Sequence, residues 1–544
     1  MLENKLSAKG RRGAVASVEK NASQIGINVL KAGGNAIDAA VAMAFALAVT
    51  HPFAGNLGGG GFMLIRLASG KEVGLDFREM APAEATPDMF LEKDNTVNNE
   101  KATFGYLVAA VPGTVKGLET AWQKYGSLPW SDLIQPSIHL ARQGIYLNKY
   151  DAAQLCQYQE DLARFPETKK VFFKADGQTY GTQDLFKQPD LARTLQNIAR
   201  YGAKTFYEGR LADKIAADFK ANGGILKKKD LKNYTVKIRQ PLKTYFQGYE
   251  IISMPLPSAG GMSVVQLLQI LQQFELIKDP LEPENLHLLL ESMRYVFLNR
   301  TKYLGDLDFV DVPVDELLSQ DNARSIAAKI NLSKATPSAA LSGEVSVHKE
   351  NMETTHFSVM DAAGNMVATT ITLEDGFGSK AVVKDLGFLL NSEMHDFNIN
   401  PYRKNIQGGL GSDPNGIAPQ KRMLSSMAPT LVLKDGKPFL ITGSPGGRTI
   451  ANTVLQIILA ITTYGLILKE ALRLPRLSHL WMPDFVHLEK NSWPQEIKNA
   501  LAAKGHILKE GDYLGDAHSI LINPVSREFE AEADPRRNGW AEAF

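Results

Sequence analysis

Two threonines in this chain can bring two hydroxyls together. Thr354 opens the alternating run TTHFSVM, and Thr372 lies near the end of the β-branched run MVATTITL. A hydroxyl becomes a nucleophile when a neighbouring group takes its proton. Between the runs, DAAGN reads as a turn with Gly364 free to take positive φ. A hairpin folding about Ala363 sets Thr354 opposite Thr372, with Cβ atoms roughly 5 Å apart. His356, Ser358 and Met360 share the Thr354 face, while Thr355, Phe357 and Val359 take the other. A glycine bulge would shift this register by one. On pattern alone the facing hydroxyls also describe an ordinary cross-strand threonine pair.

Other chemistries find little support. There is no HExxH, no GxSxG and no EF-hand loop, and the ten histidines are scattered. His356, the histidine beside Thr354, reads as structural. The single cysteine, Cys156, excludes an internal disulfide and has no CxxC partner; it reads as a packing cysteine in a helix. Asp306 and Asp308 in GDLDF read as a turn rather than a calcium site. GNLGGGGFM has no following GK[ST] and leads into a strand, so its glycines signal close backbone packing rather than a phosphate loop. Sixty basic and 59 acidic residues leave a net charge of +1, which gives no reason to expect nucleic acid or a membrane surface as partner.

The elements that must position the threonines are also legible. From Gly13 to Met63, AVASVEKNASQIGINVLKAGGNAIDAAVAMAFALAV reads as strand, helix, break and buried helix, with Gly33 and Gly34 ending the first helix and Asn35 capping the second. EVGLDFREMAP is a strand with Arg78 near its end. Residues from about Pro112 to Ser342 are mostly helical, MPLPSAGGMSVVQLLQIL being a glycine turn opening a buried helix. The longest apolar runs fall short of the ~20 residues a bilayer needs. Length alone would allow ~3–4 domains, but no low-complexity linker divides the chain. ATPSAALSGEVSVHKENMETTH, rich in small and polar residues, runs directly into Thr354 and reads as an exposed arm. Met1–Arg12 is polar and lacks the apolar stretch of a signal peptide, so the sequence as it stands implies the cytoplasm, or the periplasm or exterior if a leader has been removed.

In order along the chain, AGGNAIDAAVA, GNLGGGGFM, LDFREMAP, AAVPGTVKGL, MPLPSAGGMSVVQLLQIL, YLGDLDF, ETTHFSV, LLNSEMHDF, KRMLSSMAPT and TGSPGG resemble the γ-glutamyltranspeptidase family of N-terminal-nucleophile hydrolases. The resemblance spans Gly13 to Pro535. It implies an α+β fold, a four-layer αββα sandwich with two stacked antiparallel sheets between helices. It also implies a precursor that splits into Met1–Glu353 and Thr354–Phe544, the two parts together forming the one fold. The Thr354 hydroxyl would attack the Glu353 carbonyl, an N→O acyl shift would give an ester, and water would release the arm. Thr354 would then be an N-terminal threonine whose own α-amine serves as base.

By the same resemblance Arg78 grips the α-carboxylate of a γ-glutamyl donor, and Glu393 and Asp396 bind its α-amine. Ser425 and Ser426 are donors to the carboxylate, although paired serines by themselves suit a turn or cap. The backbone N–H groups of Gly446 and Gly447 would stabilise an oxyanion, although TGSPGG by itself also suits a strand-to-helix turn. NINPYRKNIQGGLGSDPNGIAPQ matches a lid; the tip aromatic expected near Gln407 is absent, with Tyr402 close by. Glu374 stands where the family usually has an asparagine. Its charge would repel the donor's α-carboxylate unless Arg78 neutralised it.

The implied reaction is γ-glutamyl transfer from glutathione or a similar amide to water or an acceptor amine, with no metal and no organic cofactor. Two alternatives remain. A glutaryl-cephalosporin-type acylase would use the same nucleophile on a donor lacking the α-amine, but three nearby acids would then have no ammonium to pair with. A non-catalytic relative that binds a γ-glutamyl ligand or a protein partner fits poorly with the presence of Thr354, Thr372 and the glycine pair.

Overall fold

The computed structural model describes residues 5–342, 353–402 and 413–544. Its β structure is dominated by two seven-stranded sheets. In chain order the strands are β1 (Ser7–Gly10), β2 (Gly13–Ser17), β3 (Gly60–Arg66), β4 (Glu72–Phe77), β5 (Lys237–Arg239), β6 (Leu242–Phe246) and β7 (Tyr249–Ser253). They continue as β8 (Glu353–Asp361), β9 (Met366–Glu374), β10 (Thr430–Lys434), β11 (Lys437–Thr442), β12 (His518–Ile522), β13 (Phe529–Ala533) and β14 (Trp540–Ala543). One sheet runs β1-β13-β12-β11-β10-β7-β6 and the other β14-β2-β8-β9-β3-β4-β5. Neighbours in both are antiparallel.

Helices α1 (Lys20–Lys31) and α2 (Ala36–Thr50) cover the outer face of the second sheet. On the far side α3 (Ala259–Leu271) lies against the first sheet, with α4 (Pro283–Tyr303) and α5 (Ile450–Thr462) packed beside it. The result is the αββα sandwich. Asn35 caps α2 by accepting from the Ile37 and Asp38 N–H groups, as its side-chain chemistry favours. Every residue of α2 is buried, the signature of a helix apolar all round.

The strand faces follow the period-two pattern. Phe357 and Val359 enter the core beneath α1 and α2, while Met360 joins Ala14, Ala16 and Ala368 in the core shared by the two sheets. Thr355↔Ile371 through Met360↔Met366 is the expected hairpin register. It breaks at the functional end: three residues of β9 oppose two of β8, and Glu353 pairs with Glu374. The bulge involves no glycine. Glu374 itself takes φ +79, a left-handed conformation uncommon for a side-chain-bearing residue.

The glycine run packs closely, as its composition suggests. A Cβ on Gly59 would lie 2.0 Å from the Thr372 carbonyl oxygen, and one on Gly61 2.2 Å from that of Thr370. The absence of side chains there lets β9 seat against the β3 entry. Cys156 departs from expectation. It sits in the helix Lys149–Gln157 but is exposed, because that helix buries Asp151 and Leu155, and the next residue turns about 100° away from them. Asp306 accepts from the Asp308 and Arg422 N–H groups, the arrangement of a turn. Among the described residues no helix is long and apolar enough to cross a membrane, and no cluster of three or more His, Cys, Asp or Glu could hold a metal ion. The arm residues 343–352 and the lid residues 403–412, including Gln407, lie outside the described residues. Tyr402, at the edge of that segment, is exposed.

Candidate active site

Thr354 and Thr372 meet where β8 and β9 reach the end of the sandwich. Their hydroxyl oxygens are 3.5 Å apart, longer than a full hydrogen bond. The Thr372 oxygen accepts the Glu374 N–H at 2.8 Å and donates to the Glu353 carbonyl oxygen at 3.0 Å. The bulge creates this geometry by bringing the Glu374 amide back onto its own strand's side chain. The Glu353–Thr354 peptide is thus flanked by one hydroxyl on its carbonyl and another on the following residue. His356 lies deeper between the sheets, its ring 2.8 Å from the Thr370 hydroxyl and 3.1 Å from that of Ser358. Burial pushes its pKa well down, so it is a neutral packing group.

The threonines open onto a solvent-reaching cleft lined also by Arg78, Glu374, Asp396, Ser425, Ser426, Met427, Gly447 and Ile450. Glu393 is fully buried and is not part of the cavity wall. Arg78, just past β4, is buried and pairs through Nη1 with Glu393 at 2.6 Å and Glu79 at 3.3 Å, and through Nη2 with Asp396. Three carboxylates around one guanidinium cannot all ionise cheaply out of water. Burial, only partly offset by Arg78, pushes Glu79 up to about 7 and Glu393 well above its usual range. Arg78 resists the opposite effect of burial, and the carboxylates raise its pKa.

Glu374 is not among the ion-pair partners of Arg78, so the neutralisation that the sequence left open is not made there. Its carboxylate accepts from the Ser392 hydroxyl at 2.7 Å and lies 3.4 Å from His395 Nδ1. Burial lowers the pKa of His395, but the Glu374 hydrogen bond and charge outweigh that and raise it. Ser426 accepts from Arg300 at 3.0 Å, and the Ser425 oxygen accepts from the Met427 N–H at 3.2 Å. Gly446 at φ +133 and Gly447 at φ +51 open the short helical turn Gly447–Thr449 that leads into α5. Only glycine takes both conformations readily, and a helix N-terminus presents N–H groups to anions.

Of the residues that the resemblance assigns to the site, Arg78, Thr354, Thr372, Glu374, Asp396, Ser425, Ser426 and Gly447 line this cavity, while Glu393 pairs with Arg78 and Gly446 precedes Gly447 without lining it. Sequence reading missed Glu79, Ser392, His395 and Arg300, which hold the cavity residues in place. Glu79 and His395 were visible only as neighbours of Arg78 and Asp396, and Arg300 carried no signal in α4.

The γ-glutamyltranspeptidase family model matches residues 22–544. The chain belongs to the γ-glutamyltranspeptidase family. It is 42% identical over 530 residues to the glutathione hydrolase proenzyme of Escherichia coli (strain K12), covering 97% of this chain and 91% of that one. The structure of the Helicobacter pylori γ-glutamyltranspeptidase superposes with a TM-score of 0.57 at 46% identity, over 59% of this chain and 92% of that one. The cephalosporin acylase from Bacillus halodurans superposes with a TM-score of 0.88 at 26% identity, over 100% of this chain and 98% of that one. The αββα architecture is therefore common to γ-glutamyltranspeptidases and acylases, while the family match and the higher identities fall on the transpeptidase side.

Proposed function

We propose that this chain cuts itself between Glu353 and Thr354 and then transfers γ-glutamyl groups from glutathione or a similar amide to water or an acceptor amine. The observation that carries the reading is the Thr354–Thr372 pair at the Glu353 carbonyl, opening onto a cavity lined by one arginine, Arg78, and two acids, Glu374 and Asp396. In the first step the Thr354 hydroxyl adds to the Glu353 carbonyl, the C–N bond breaks, and the new ester is hydrolysed. The small part then begins at Thr354, and the large part supplies Arg78.

The liberated α-amine takes the hydroxyl proton of Thr354 as the oxygen attacks the donor's γ-carbonyl. The N–H groups of Gly446 and Gly447 meet the developing oxyanion, and the proton passes to the leaving amine. Water or an acceptor amine then attacks the acyl-Thr354 ester. An α-carboxylate reaches Arg78 by taking the place of Asp396 on Nη2, beside Ser425 and Ser426. That exchange frees Asp396, with Glu374, for the α-ammonium. A glutaryl acylase reading leaves Glu374 and Asp396 without a cation from the donor.

Incubated full-length chain should yield two fragments, the smaller starting Thr-Thr-His-Phe, and Thr354→Ala should leave one. The processed protein should turn over a γ-glutamyl anilide far faster than a glutaryl anilide. Cleavage of the same bond in Thr354→Ala, or equal rates on the two anilides, overturns the reading.

A further inference from the structure

Arg537 lies in the short connection between β13 and β14, which crosses from one sheet to the other. Its Nη2 donates to the Glu353 carboxylate at 2.9 Å. Its guanidinium sits 5.0 Å from the centre of the Tyr150 ring. Burial works against its charge, yet the Glu353 carboxylate, the Tyr150 phenol and Asp516 raise its pKa, so it stays cationic. The connection is itself anchored. Arg536 pairs with both oxygens of Glu489 at 2.6 Å and with Asp534 at 3.2 Å. The grip on Glu353 therefore comes from a fixed point.

Residue 353 is thus held at two places, its carbonyl by Thr372 and its side chain by Arg537. With both ends fixed, little torsional freedom remains about its backbone, and the carbonyl stays turned towards the two threonines. We infer that Arg537 is a positioning residue for self-cleavage: by holding the side chain of the residue that donates the scissile carbonyl, it orients that carbonyl for attack by Thr354. Attack on a peptide carbonyl depends steeply on approach geometry, and misplacement by about 1 Å costs on the order of 100-fold. Arg537 touches no reacting atom and takes no proton. This inference rests on the proposed cut at Glu353–Thr354.

The test is a gel time course of cleavage in the full-length chain. Arg537→Ala and Glu353→Ala should each slow the cut by about tenfold or more. The double variant should be no slower than the slower single, because one interaction is lost once. Arg537→Lys should recover part of the rate, and Glu353→Gln should lie between parent and Glu353→Ala. Thermal unfolding, measured with Thr354→Ala added to keep each chain whole, should shift far less than the cleavage rate does. Parent-rate cleavage in both Glu353→Ala and Arg537→Ala overturns the inference. So does slow cleavage in Arg537→Ala alone, since Arg537 would then act through the fold. If the parent itself stays whole, or is cut elsewhere, the cleavage reading fails rather than the role of Arg537.

Discussion

Thr372 hands its only hydroxyl proton to the Glu353 carbonyl, 3.0 Å away, because the Glu374 N–H already occupies the Thr372 oxygen as a donor at 2.8 Å. The direction of that bond draws electron density from the carbonyl that Thr354 must attack. Removing one donor to a developing oxyanion typically costs ~100-fold or more. Thr372→Val should therefore slow self-cleavage by about that factor, and Thr372→Ser should keep most of the rate, followed as band intensities on a denaturing gel. A Thr372→Val chain that cuts at the parent rate would show that the bond has no part in the chemistry.

Arg78→Lys keeps a positive charge but loses the planar fork. Losing a charge-assisted hydrogen bond costs about 1.5–3 kcal/mol, so KM for a γ-glutamyl donor should rise about tenfold or more. Self-cleavage should change much less, since the Glu353 carbonyl is held by Thr372 and the side-chain partners of Arg78 are Glu79, Glu393, Asp396 and the Met423 and Leu424 carbonyls. Steady-state kinetics on the processed protein decide it, and an unchanged KM would remove Arg78 from donor binding.

Glu374 is held by Ser392 and His395 rather than by Arg78, on the side of the cavity assigned to the α-ammonium. Glu374→Asn should then raise KM for glutathione by roughly fivefold, about 1 kcal/mol, with kcat little changed. A fall in KM would instead restore the repulsion with the α-carboxylate that the sequence suggested.

Donor affinity should depend on pH through Glu79. Its carboxyl is pushed up to about 7 by burial, so below that pH it is neutral and above it is an anion beside Arg78. Ionisation weakens the pull of Arg78 on the donor's carboxylate, and KM should rise as pH increases through about 7. In Glu79→Gln the side chain stays neutral at every pH, and KM should be flatter between about pH 6 and 8. The same sign governs stability: the folded chain binds this proton more tightly than the unfolded one, so the contribution is present below the ordinary carboxylate range and fades as pH rises through about 7. Parallel KM profiles for parent and Glu79→Gln would assign the titration to another group, His395 being the next to examine.

By itself the sequence determined the hairpin, its faces and its register up to Thr355. Alternation and β-branching are local properties, and a buried sheet enforces them. It also determined the buried helix after Asn35, the close packing of the glycine run and, through the order of its motifs, the family; it named most of the residues that line the cavity, though not Met427 or Ile450. The tertiary structure alone decided the bulge that turns the Glu374 amide onto Thr372. It also decided that Arg78 answers Glu79, Glu393 and Asp396 together, the last of them 318 residues away. It likewise brought Arg537 to Glu353 across 184 residues. An arginine or glutamate in a sequence is indistinguishable from solvated surface charge. Only when the fold removes water from around it must it find a partner, and which partner it finds is set by how distant strands are stacked.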